Sequence, residues 1–419
     1  MASSKIDDNL ARNGSTLTKP TSATPITAYR HLVPLTSQPN ITYLNASFAP
    51  PSNLLVHSAV AKFNNDALHN PSPKATWQAT AEALRCLLAR YINTESSAIA
   101  LTRDTTEGLN SFIRGLKFKP GDNVVLLDSE HPNHAYAWMA LRSSGLQVRQ
   151  VPTIVEAQKS GKVVAANANT LAPYVDERTI AIGLSSIMFH SGQWNDVQGI
   201  CDTYRPRGIH VVADLTQQVG FARIDVTKLN VSSAAFSLHK GLNTPTGLAC
   251  LYVNPDVICH LDPAPPVVGY GAVSNARADL LVTADEIVYH PSARRYEHLN
   301  ASLVACVASK AYLEFYLDTM GPQNVEVHLY GLGDALRAGC KQVGVKIVGP
   351  EKKEEHAPHL YILDLHDSRW MEHLKTSGIY VTPYRLGIRV SFGFYNNLAD
   401  VERLVNVLRE GVENGIPLQ

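Results

Sequence analysis

Residues 209–221 read IHVVADLTQQVGF, and residues 233–253 read SAAFSLHKGLNTPTGLACLYV. Each segment is a run of apolar residues, long enough for one buried strand, that ends in polar side chains. The polar residues that follow the two runs are Asp214, Gln217, Ser237, His239 and Lys240. Because open α/β sheets bind ligands beyond the carboxyl ends of their strands, the two segments predict an α/β fold with a polar site at one sheet edge.

Further apolar segments of strand length lie on both sides of this pair. They are SAIAL at 97–101, NVVLLD at 123–128, TIAIGLSSI at 179–187 and TGLACLYVN at 246–254. Helical stretches or loops separate most of them, and residues 75–93 carry apolar side chains at helical spacing. This alternation predicts a mainly parallel sheet with crossover helices. The segment at 246–254 follows a short connection, so an antiparallel orientation is predicted for it.

The sequence changes character near residue 300. A long helix is predicted over 301–321, and the strands and helices of a smaller α+β unit follow it. Residues 1–40 are rich in Ser, Thr, Pro and Asn, a composition typical of a mobile segment. We therefore predict three parts: a partly mobile N-terminal arm over 1–40, a large domain over 41–298 and a small C-terminal domain over 299–419.

The charge balance and the cysteine content restrict the classes of function. Lys plus Arg and Asp plus Glu are both 37 in the 419 residues, so a net charge of zero argues against nucleic acid or an anionic membrane as the partner. The six cysteines are scattered without CxxC or another short metal-ligand spacing, so no metal site is predicted. The N-terminal segment lacks the apolar region of a secretory signal, and no stretch approaches the roughly 18 apolar residues that span a bilayer. We predict a cytoplasmic protein.

Asp214 and Lys240 together indicate a specific cofactor chemistry. A carboxylate can hold a pyridine nitrogen protonated, and a lysine that has lost its proton can form an imine, which is what pyridoxal phosphate (PLP) chemistry requires. On this hypothesis Gln217 donates to the phenolic oxygen of the cofactor ring, and Ser237 and His239 contact the phosphate. Taken separately, the residues have simpler interpretations, an aspartate that caps the next segment and a solvated lysine at a strand end.

Two other strand ends carry side chains that suit such a site. In TRDTTEGLN at 102–110 we predict a helix that begins near Thr105 and Thr106, with a threonine N-cap and backbone N–H groups that bind an anion. In DSEHPNH at 128–134, His131 can lie flat on an aromatic cofactor and act in proton transfer. The alternatives are an ordinary capped helix for the first motif and a polar loop histidine for the second.

In their order along the chain, these motifs resemble those of a known family. The chain is similar to the class V aminotransferase family of fold-type I PLP enzymes, which includes cysteine desulfurases, selenocysteine lyases, kynureninases and isopenicillin N epimerase-like proteins. The segments that carry the resemblance are YLNASFAPPS, TRDTTEGLN, DSEHPNHAYAW, LSSIMFHSGQWNDV, ADLTQQVG, SLHKGLNTPTG, RRYEHLN and GIRVSFGFYNNLADVERLV. They cover nearly the whole chain beyond the arm.

The resemblance implies a large domain with a mainly parallel sheet of the seven-stranded type, PLP as the cofactor and an amino acid as the substrate. It implies that Lys240 forms the imine, that Asp214 pairs with the pyridinium nitrogen and that His131 stacks on the ring. The residues implied at the phosphate are Thr105, Thr106, Ser237 and His239. The residues implied at the substrate are Asn45 and Arg389, the latter at the α-carboxylate, for which a guanidinium is suited. A homodimer with active sites at the interface is implied as well.

Two departures from the family pattern bear on the reaction. Cysteine desulfurases carry a catalytic cysteine on a loop before the final arginine motif, whereas the last cysteine here, Cys340, lies earlier, in RAGCKQVG. Persulfide chemistry of that type is therefore not expected. In RRYEHLNAS, residues 298–300 stand where the family often has a Gly-Thr pair whose segment reaches the partner subunit's phosphate. That contact is either lost or made by Asn300 or Ser302.

These observations predict a PLP-dependent enzyme that acts at Cα of a substituted α-amino acid. We expect a lyase that cleaves a C–S bond by β-elimination, of the hercynylcysteine sulfoxide or cystine type. One alternative is an isopenicillin N epimerase-like or loline-pathway-like enzyme of secondary metabolism, which epimerises, decarboxylates or cyclises its substrate. Another alternative is an aminotransferase. A non-catalytic protein that keeps the fold is disfavoured, because Lys240, Asp214 and Arg389 are all present.

Overall fold

The computed structural model describes residues 25–160, 162–279, 281–282, 286–298 and 301–418, so residues 1–24 of the predicted arm lie outside the described residues. The strands are β1 (Thr42–Tyr43), β2 (Ile99–Thr102), β3 (Asn123–Leu127), β4 (Gln147–Val151), β5 (Thr179–Ser185), β6 (His210–Asp214), β7 (Ser233–Ser237), β8 (Ala249–Val253), β9 (Ile347–Val348), β10 (Leu360–Leu363), β11 (Ile379–Tyr380), β12 (Thr382–Tyr384) and β13 (Gly387–Ser391). The helices are α1 (Leu54–His69), α2 (Lys74–Ile92), α3 (Thr105–Ile113), α4 (Pro132–Met139), α5 (Thr153–Ser160), α6 (Ala168–Leu171), α7 (Val197–Tyr204), α8 (Val226–Leu229), α9 (Pro255–Ile258), α10 (Leu303–Phe315), α11 (Pro322–Gln342), α12 (Arg369–Thr376) and α13 (Leu398–Glu413).

The largest sheet has seven strands in the order β2-β8-β7-β6-β5-β3-β4. Strand β8 pairs antiparallel with both of its neighbours, and the other pairings in this sheet are parallel. The predicted mainly parallel, seven-stranded sheet is thereby confirmed, and so is the antiparallel orientation of the segment at 246–254. The edge strand β4 was not predicted, because its sequence QVRQV has no continuous apolar run and buries only Val151.

Helices cover both faces of this sheet, which explains why its strands are apolar along their whole length. In β3, Val124 and Leu126 pack with side chains of α3 and α4 on one face. The alternate residues Val125 and Leu127 pack with side chains of α2, α7 and α10 on the other face. Because successive strand side chains point to opposite faces, a strand buried on both sides needs an apolar residue at every position.

A second sheet has four antiparallel strands in the order β12-β13-β10-β9. The early part of the chain joins this C-terminal region, since β1 pairs in parallel with β11. Arg30 also donates two hydrogen bonds to the carboxylate of Asp400 in α13, at 2.6 and 3.0 Å. The described residues of the predicted arm, 25–40, are therefore held against the C-terminal part of the chain.

The helix predicted over 301–321 is present as α10 followed by one π-helical turn, Tyr316–Met320. It ends at Gly321, whose φ of 75° lies in the left-handed region that glycine adopts at little cost. In the part of the chain that the structure describes, no helix combines the length and the apolar character needed to cross a membrane.

Candidate active site

A cavity of about 350 Å³ lies beyond the carboxyl ends of β5, β6 and β7. The last residues of these strands, Ser185, Asp214 and Ser237, all line it. The first residues of α3 and side chains from β12 and β13 also contribute to its walls. This is the sheet edge at which the sequence predicts the site.

The structure brings nine of the ten predicted site residues together in this cavity. They are Thr105, Thr106, His131, Asp214, Gln217, Ser237, His239, Lys240 and Arg389. Asn45 is not among the described residues that line it. Its backbone forms a bridge with Ser391, and its side-chain oxygen is buried without a hydrogen-bond partner among the described residues. Its neighbours Ser47 and Phe48 reach the cavity instead.

The N-terminus of α3 differs in one detail from the prediction. The N-cap is Asp104, whose carboxylate accepts a hydrogen bond from the Glu107 N–H at 2.8 Å, so the predicted threonine N-cap is wrong. The physical reason is that a carboxylate one residue earlier occupies the capping position, and aspartate caps at least as well as threonine. Thr105 is thus the first helical residue, and its hydroxyl is free to form other bonds.

Three hydroxyl groups from different elements form one hydrogen-bonded group at this side of the cavity. The Thr105 hydroxyl lies 2.8 Å from that of Thr216 and 2.7 Å from that of Ser237. The Thr105 N–H also donates to the Ser237 oxygen at 3.0 Å. Hydroxyls beside a helix N-terminus suit a phosphate, because both the N–H groups and the helix dipole favour an anion there.

His239 lies at the same cavity and is mostly enclosed. Burial, reinforced by the positive charge of Lys240, lowers its pKa to about 4. The imidazole is therefore neutral at pH 7. It can donate one hydrogen bond to an anion without contributing a full positive charge.

Lys240 and Asp214 line the cavity from the ends of neighbouring strands, β7 and β6. Burial lowers the pKa of Lys240 to about 8, and the positive charge of Arg389 lowers it further, while the Asp214 carboxylate acts in the opposite direction. Asp214 itself accepts a hydrogen bond from the Thr216 N–H at 2.8 Å. A lysine with such a pKa is still mostly protonated at pH 7, but its neutral fraction is far larger than that of an ordinary lysine, which makes its amine a better nucleophile or base.

Two glycines allow the segments after Asp214 and after Lys240 to approach each other. A Cβ on Gly241 would lie 2.2 Å from the Val219 carbonyl oxygen. A Cβ on Gly220, whose φ is 77°, would lie 2.2 Å from the Gly241 carbonyl carbon. Only glycine permits this contact of backbone with backbone.

Gln217 and His131 also face the cavity. The Gln217 side-chain nitrogen donates to the Ser47 carbonyl oxygen at 3.2 Å, and its Oε1 is buried with no partner among the described residues. The His131 ring accepts a hydrogen bond from the Asn133 N–H at 3.2 Å. Burial lowers the pKa of His131, so the ring is neutral at pH 7 and can lie against a planar ligand.

Arg389 is the most deeply buried cation of the cavity, with 1% of its surface exposed. Its Nη1 donates to the Phe189 carbonyl oxygen at 2.9 Å, and its guanidinium carbon lies 4.4 Å from the centre of the Tyr384 ring. Nε and Nη2 are buried and have no hydrogen-bond partner in the described part of the chain. Burial lowers its pKa to about 10. The free Nε–Nη2 edge is suited to bind a carboxylate with two hydrogen bonds.

The sequence did not single out several residues that line the cavity. The described ones are Ser47, Phe48, Asp104, Asn133, Ser185, Ile187, Phe189, Thr216 and Tyr384. All of them except Tyr384 lie within the quoted motifs, so their proximity in sequence to predicted residues could have indicated them. Tyr384 lies outside every motif and reaches the site only because β12 pairs with β13, so no local pattern indicates it.

The two departures noted in the sequence can now be located. All six cysteines lie among the described residues, and none of them lines the cavity. His298 lies 3.2 Å from a carboxylate oxygen of Glu107 in α3. Leu299 and Asn300 lie outside the described residues, whereas Ser302 lines a separate crevice beside His298.

Comparison with known proteins places this geometry in context. A model of the family described as Aminotransferase class-V matches residues 56–404. An uncharacterized aminotransferase of Schizosaccharomyces pombe is 48% identical over 394 residues, which cover 94% of this chain and 97% of that protein.

Two solved structures have a similar fold. The apo cysteine desulfurase from Thermococcus onnurineus NA1 has a TM-score of 0.80 and is 20% identical, with 96% of this chain and 100% of that chain covered. The complex between the cystine C–S lyase C-DES and its product cysteine persulfide has a TM-score of 0.79 and is also 20% identical, with 90% and 99% covered. At this level of identity the likeness concerns the fold alone.

Proposed function

The chain belongs to the aminotransferase class-V family, whose members depend on PLP, and from this premise we propose that it is a lyase that cleaves the C–S bond of an S-substituted α-amino acid. One observation carries the proposal. Lys240, Asp214 and the unpaired edge of Arg389 line one cavity that none of the six cysteines reaches. The first three groups suit chemistry at Cα, and without a cysteine the site lacks a thiol that could take over the sulfur.

The residues of the cavity fit PLP. Its volume of about 350 Å³ is within the range usual for small-ligand sites. The hydroxyls of Thr105, Thr216 and Ser237 would hold the phosphate, and the Asp214 carboxylate would pair with the ring nitrogen. Gln217 Oε1 is buried without a partner in the described chain, but it is an acceptor, so the predicted bond to the phenolic oxygen would have to come from Nε2, which here donates to the Ser47 carbonyl oxygen.

The chain's own groups then have defined tasks. When bound, PLP supplies an electron-withdrawing ring that stabilises negative charge at Cα. The Nε–Nη2 edge of Arg389 holds the α-carboxylate and so orients Cα within the cavity. Lys240 Nζ, with its pKa lowered to about 8, takes the Cα proton near neutral pH. Neutral His131 lines the same cavity and would cover one side of the bound ring, where it would keep water out.

The overall reaction is balanced without a thiol of the protein. The Cα–H and Cβ–S bonds break, the electron pair of the Cβ–S bond leaves with the sulfur, and the sulfur gains a proton. Addition of one water molecule then releases pyruvate and ammonia together with the thiol. The absence of cysteine from the described lining supports this route over transfer of sulfur to the protein.

The test is to incubate the PLP-loaded enzyme with a panel of cysteine thioethers, sulfoxides and cystine, and to measure thiol, pyruvate and ammonia. We expect the three products in equal amounts from at least one substrate, and none from a Lys240→Ala variant. If the enzyme releases no pyruvate from any thioether, sulfoxide or disulfide substrate, the lyase assignment is refuted.

An aminotransferase is the second candidate, since the relative at 48% identity is described as one. The same panel distinguishes the two, because transamination consumes an added α-keto acid and releases no ammonia. Epimerisation would give neither outcome and would instead exchange the Cα proton for deuterium in D₂O.

We also propose that the chain forms a homodimer. Support comes from exposed apolar side chains: Phe48 at the cavity, and Val267, Val268, Tyr270, Leu281, Val282, Ile287 and Val288 within 267–288. A segment that exposes this many apolar side chains is suited to contact with a partner. Sedimentation equilibrium should give twice the chain mass, and a monomer at micromolar concentration would contradict the proposal.

A further inference from the structure

One wall of the cavity is aromatic and is centred on Phe189. The Phe189 ring centre lies 5.1 Å from that of His131 and 5.7 Å from that of Tyr384, with interplanar angles of 66° and 71°. These are edge-to-face contacts of the kind that aromatic side chains favour. Tyr384 in turn carries the Arg389 guanidinium over its ring face. The wall therefore runs from His131 to Arg389.

This wall is fixed by the same contacts that hold Arg389. Phe189 lies in the loop after β5, and its carbonyl oxygen accepts the hydrogen bond from Arg389 Nη1. The loop is closed by a bridge between Ile187 and Trp194. Ile187 also lines the cavity and adds apolar surface on the same side. A substrate held between Arg389 and Lys240 would lie beside this wall, since Phe189, Ile187 and Tyr384 line the same cavity.

The carboxylates that line the cavity already have hydrogen-bond partners within the protein. Among the described lining residues the carboxylates are Asp104 and Asp214, and both accept backbone hydrogen bonds, Asp104 from Glu107 and Asp214 from Thr216. A positively charged substituent on the substrate would therefore find no carboxylate among these described residues that lacks a hydrogen-bond donor.

The cations leave no partner for a negatively charged substituent either. Arg389 faces the α-carboxylate and Lys240 faces Cα, while His131 and His239 are neutral at pH 7 because burial lowers the pKa of each. A charged group placed against Phe189 and Tyr384 would lose hydration without gaining an ion pair, which is costly.

We propose that the wall formed by Phe189, Tyr384 and Ile187 binds the substituent on Cβ, and that this substituent is uncharged, either a thioether or an aromatic group. This inference rests on the proposed function, since it names the substrate class of the same site. Sulfur makes favourable contacts with aromatic rings, so the wall suits a thioether better than a carboxylate or an ammonium group.

The test measures binding to the PLP-loaded enzyme by calorimetric titration, with amino acids that have no leaving group at Cβ and with no α-keto acid added. The probes are L-alanine, L-homophenylalanine, L-glutamate and L-lysine. We expect L-homophenylalanine to bind about tenfold more tightly than L-alanine, since a good aromatic contact is worth up to about 1.5 kcal/mol. L-Glutamate and L-lysine should bind no more tightly than L-alanine.

Two variants locate the preference at the wall. Phe189→Ala should remove most of the advantage of L-homophenylalanine while L-alanine keeps its affinity. Phe189→Arg places a cation there and should make L-glutamate bind more tightly than L-homophenylalanine. Phe63 stacks on Trp77 away from the cavity, so Phe63→Ala is a matched control that should leave the order unchanged.

The outcomes separate this inference from the proposed reaction. Equal affinity for L-alanine and L-homophenylalanine, tightest binding of L-glutamate or L-lysine to the unaltered enzyme, or an unchanged order in Phe189→Arg would each overturn the inference. If L-homophenylalanine binds more tightly than L-alanine but no thioether releases pyruvate, the lyase assignment is refuted, whereas the inference that the aromatic wall binds the Cβ substituent is retained.

Discussion

The buried amine of Lys240 carries a cost in stability that can be measured. Burial is the main reason that its pKa falls from 10.5 to about 8. Each pKa unit corresponds to about 1.4 kcal/mol, so the charged amine destabilises the folded protein by up to about 3 kcal/mol. Because Lys240 faces the cavity, solvent there partly screens its charge and lowers this cost to about 2 kcal/mol.

The perturbation is Lys240→Met, which keeps the length of the side chain and removes its charge. Below pH 8 the amine is charged in both the folded and the unfolded states, so the full cost is present. As the pH rises from 8 towards 10.5, the folded state has lost its proton while the unfolded state keeps it, and stability rises until the cost is gone. Lys240→Met should therefore stabilise the cofactor-free protein by about 2 kcal/mol at pH 7 and by much less near pH 10.

The assay is urea unfolding of cofactor-free protein at one protein concentration and at both pH values. Lys62 is exposed on α1, so Lys62→Met is a matched control that should change the free energy of unfolding by less than about 0.5 kcal/mol. No gain at pH 7 would refute the reasoning. A gain of the same size at both pH values would also refute it, because improved apolar packing does not depend on pH.

Three other changes test different parts of the structure. The rate at which cofactor-free protein captures PLP, followed by absorbance, should rise with pH up to about 8 and then level, since only the neutral amine of Lys240 reacts; a flat profile would contradict the lowered pKa. Arg389→Lys should raise KM for α-amino acids about 10- to 100-fold in steady-state assays, because the lysine keeps the positive charge but cannot form the paired hydrogen bonds of the Nε–Nη2 edge. An unchanged KM would show that Arg389 does not bind the substrate carboxylate. Arg223→Met should lower the free energy of unfolding by about 3–5 kcal/mol in urea, because it removes the guanidinium from buried Glu326 and leaves that carboxylate without an opposite charge, with the bond from the backbone N–H of residue 223 still in place; a loss below about 1 kcal/mol would show that water reaches that carboxylate.

The parts of the site that the sequence predicted are those with a local signal. Asp214 and Lys240 each follow an apolar run within a few residues, and strand ends of a parallel sheet meet at one edge. His131 and Thr105 were found in the same way, at the ends of β3 and β2. The predicted threonine cap failed because two adjacent residues could both cap α3, and spacing alone does not decide between them.

The parts that were missed depend on contacts between residues far apart in the chain. The role of Phe189 was missed because its carbonyl oxygen bonds to the predicted Arg389, which lies 200 residues further along the chain. Tyr384 reaches Arg389 through the antiparallel register of β12 and β13, which no periodic pattern in the sequence specifies. The same holds for the edge strand β4, which is recognised only by its pairing with β3.

The sequence by itself determined the mainly parallel α/β fold, the family and the acid and amine at its centre, because each of these is encoded in short runs of residues and in their order along the chain. The tertiary structure alone decided the electrostatic state of that centre and the chemistry of its walls. Burial lowers the pKa of Lys240 and of His131 and leaves one edge of Arg389 unpaired, and the packing of Phe189 and Tyr384 makes one wall apolar. These properties depend on which groups are removed from water together, and only the folded chain sets that.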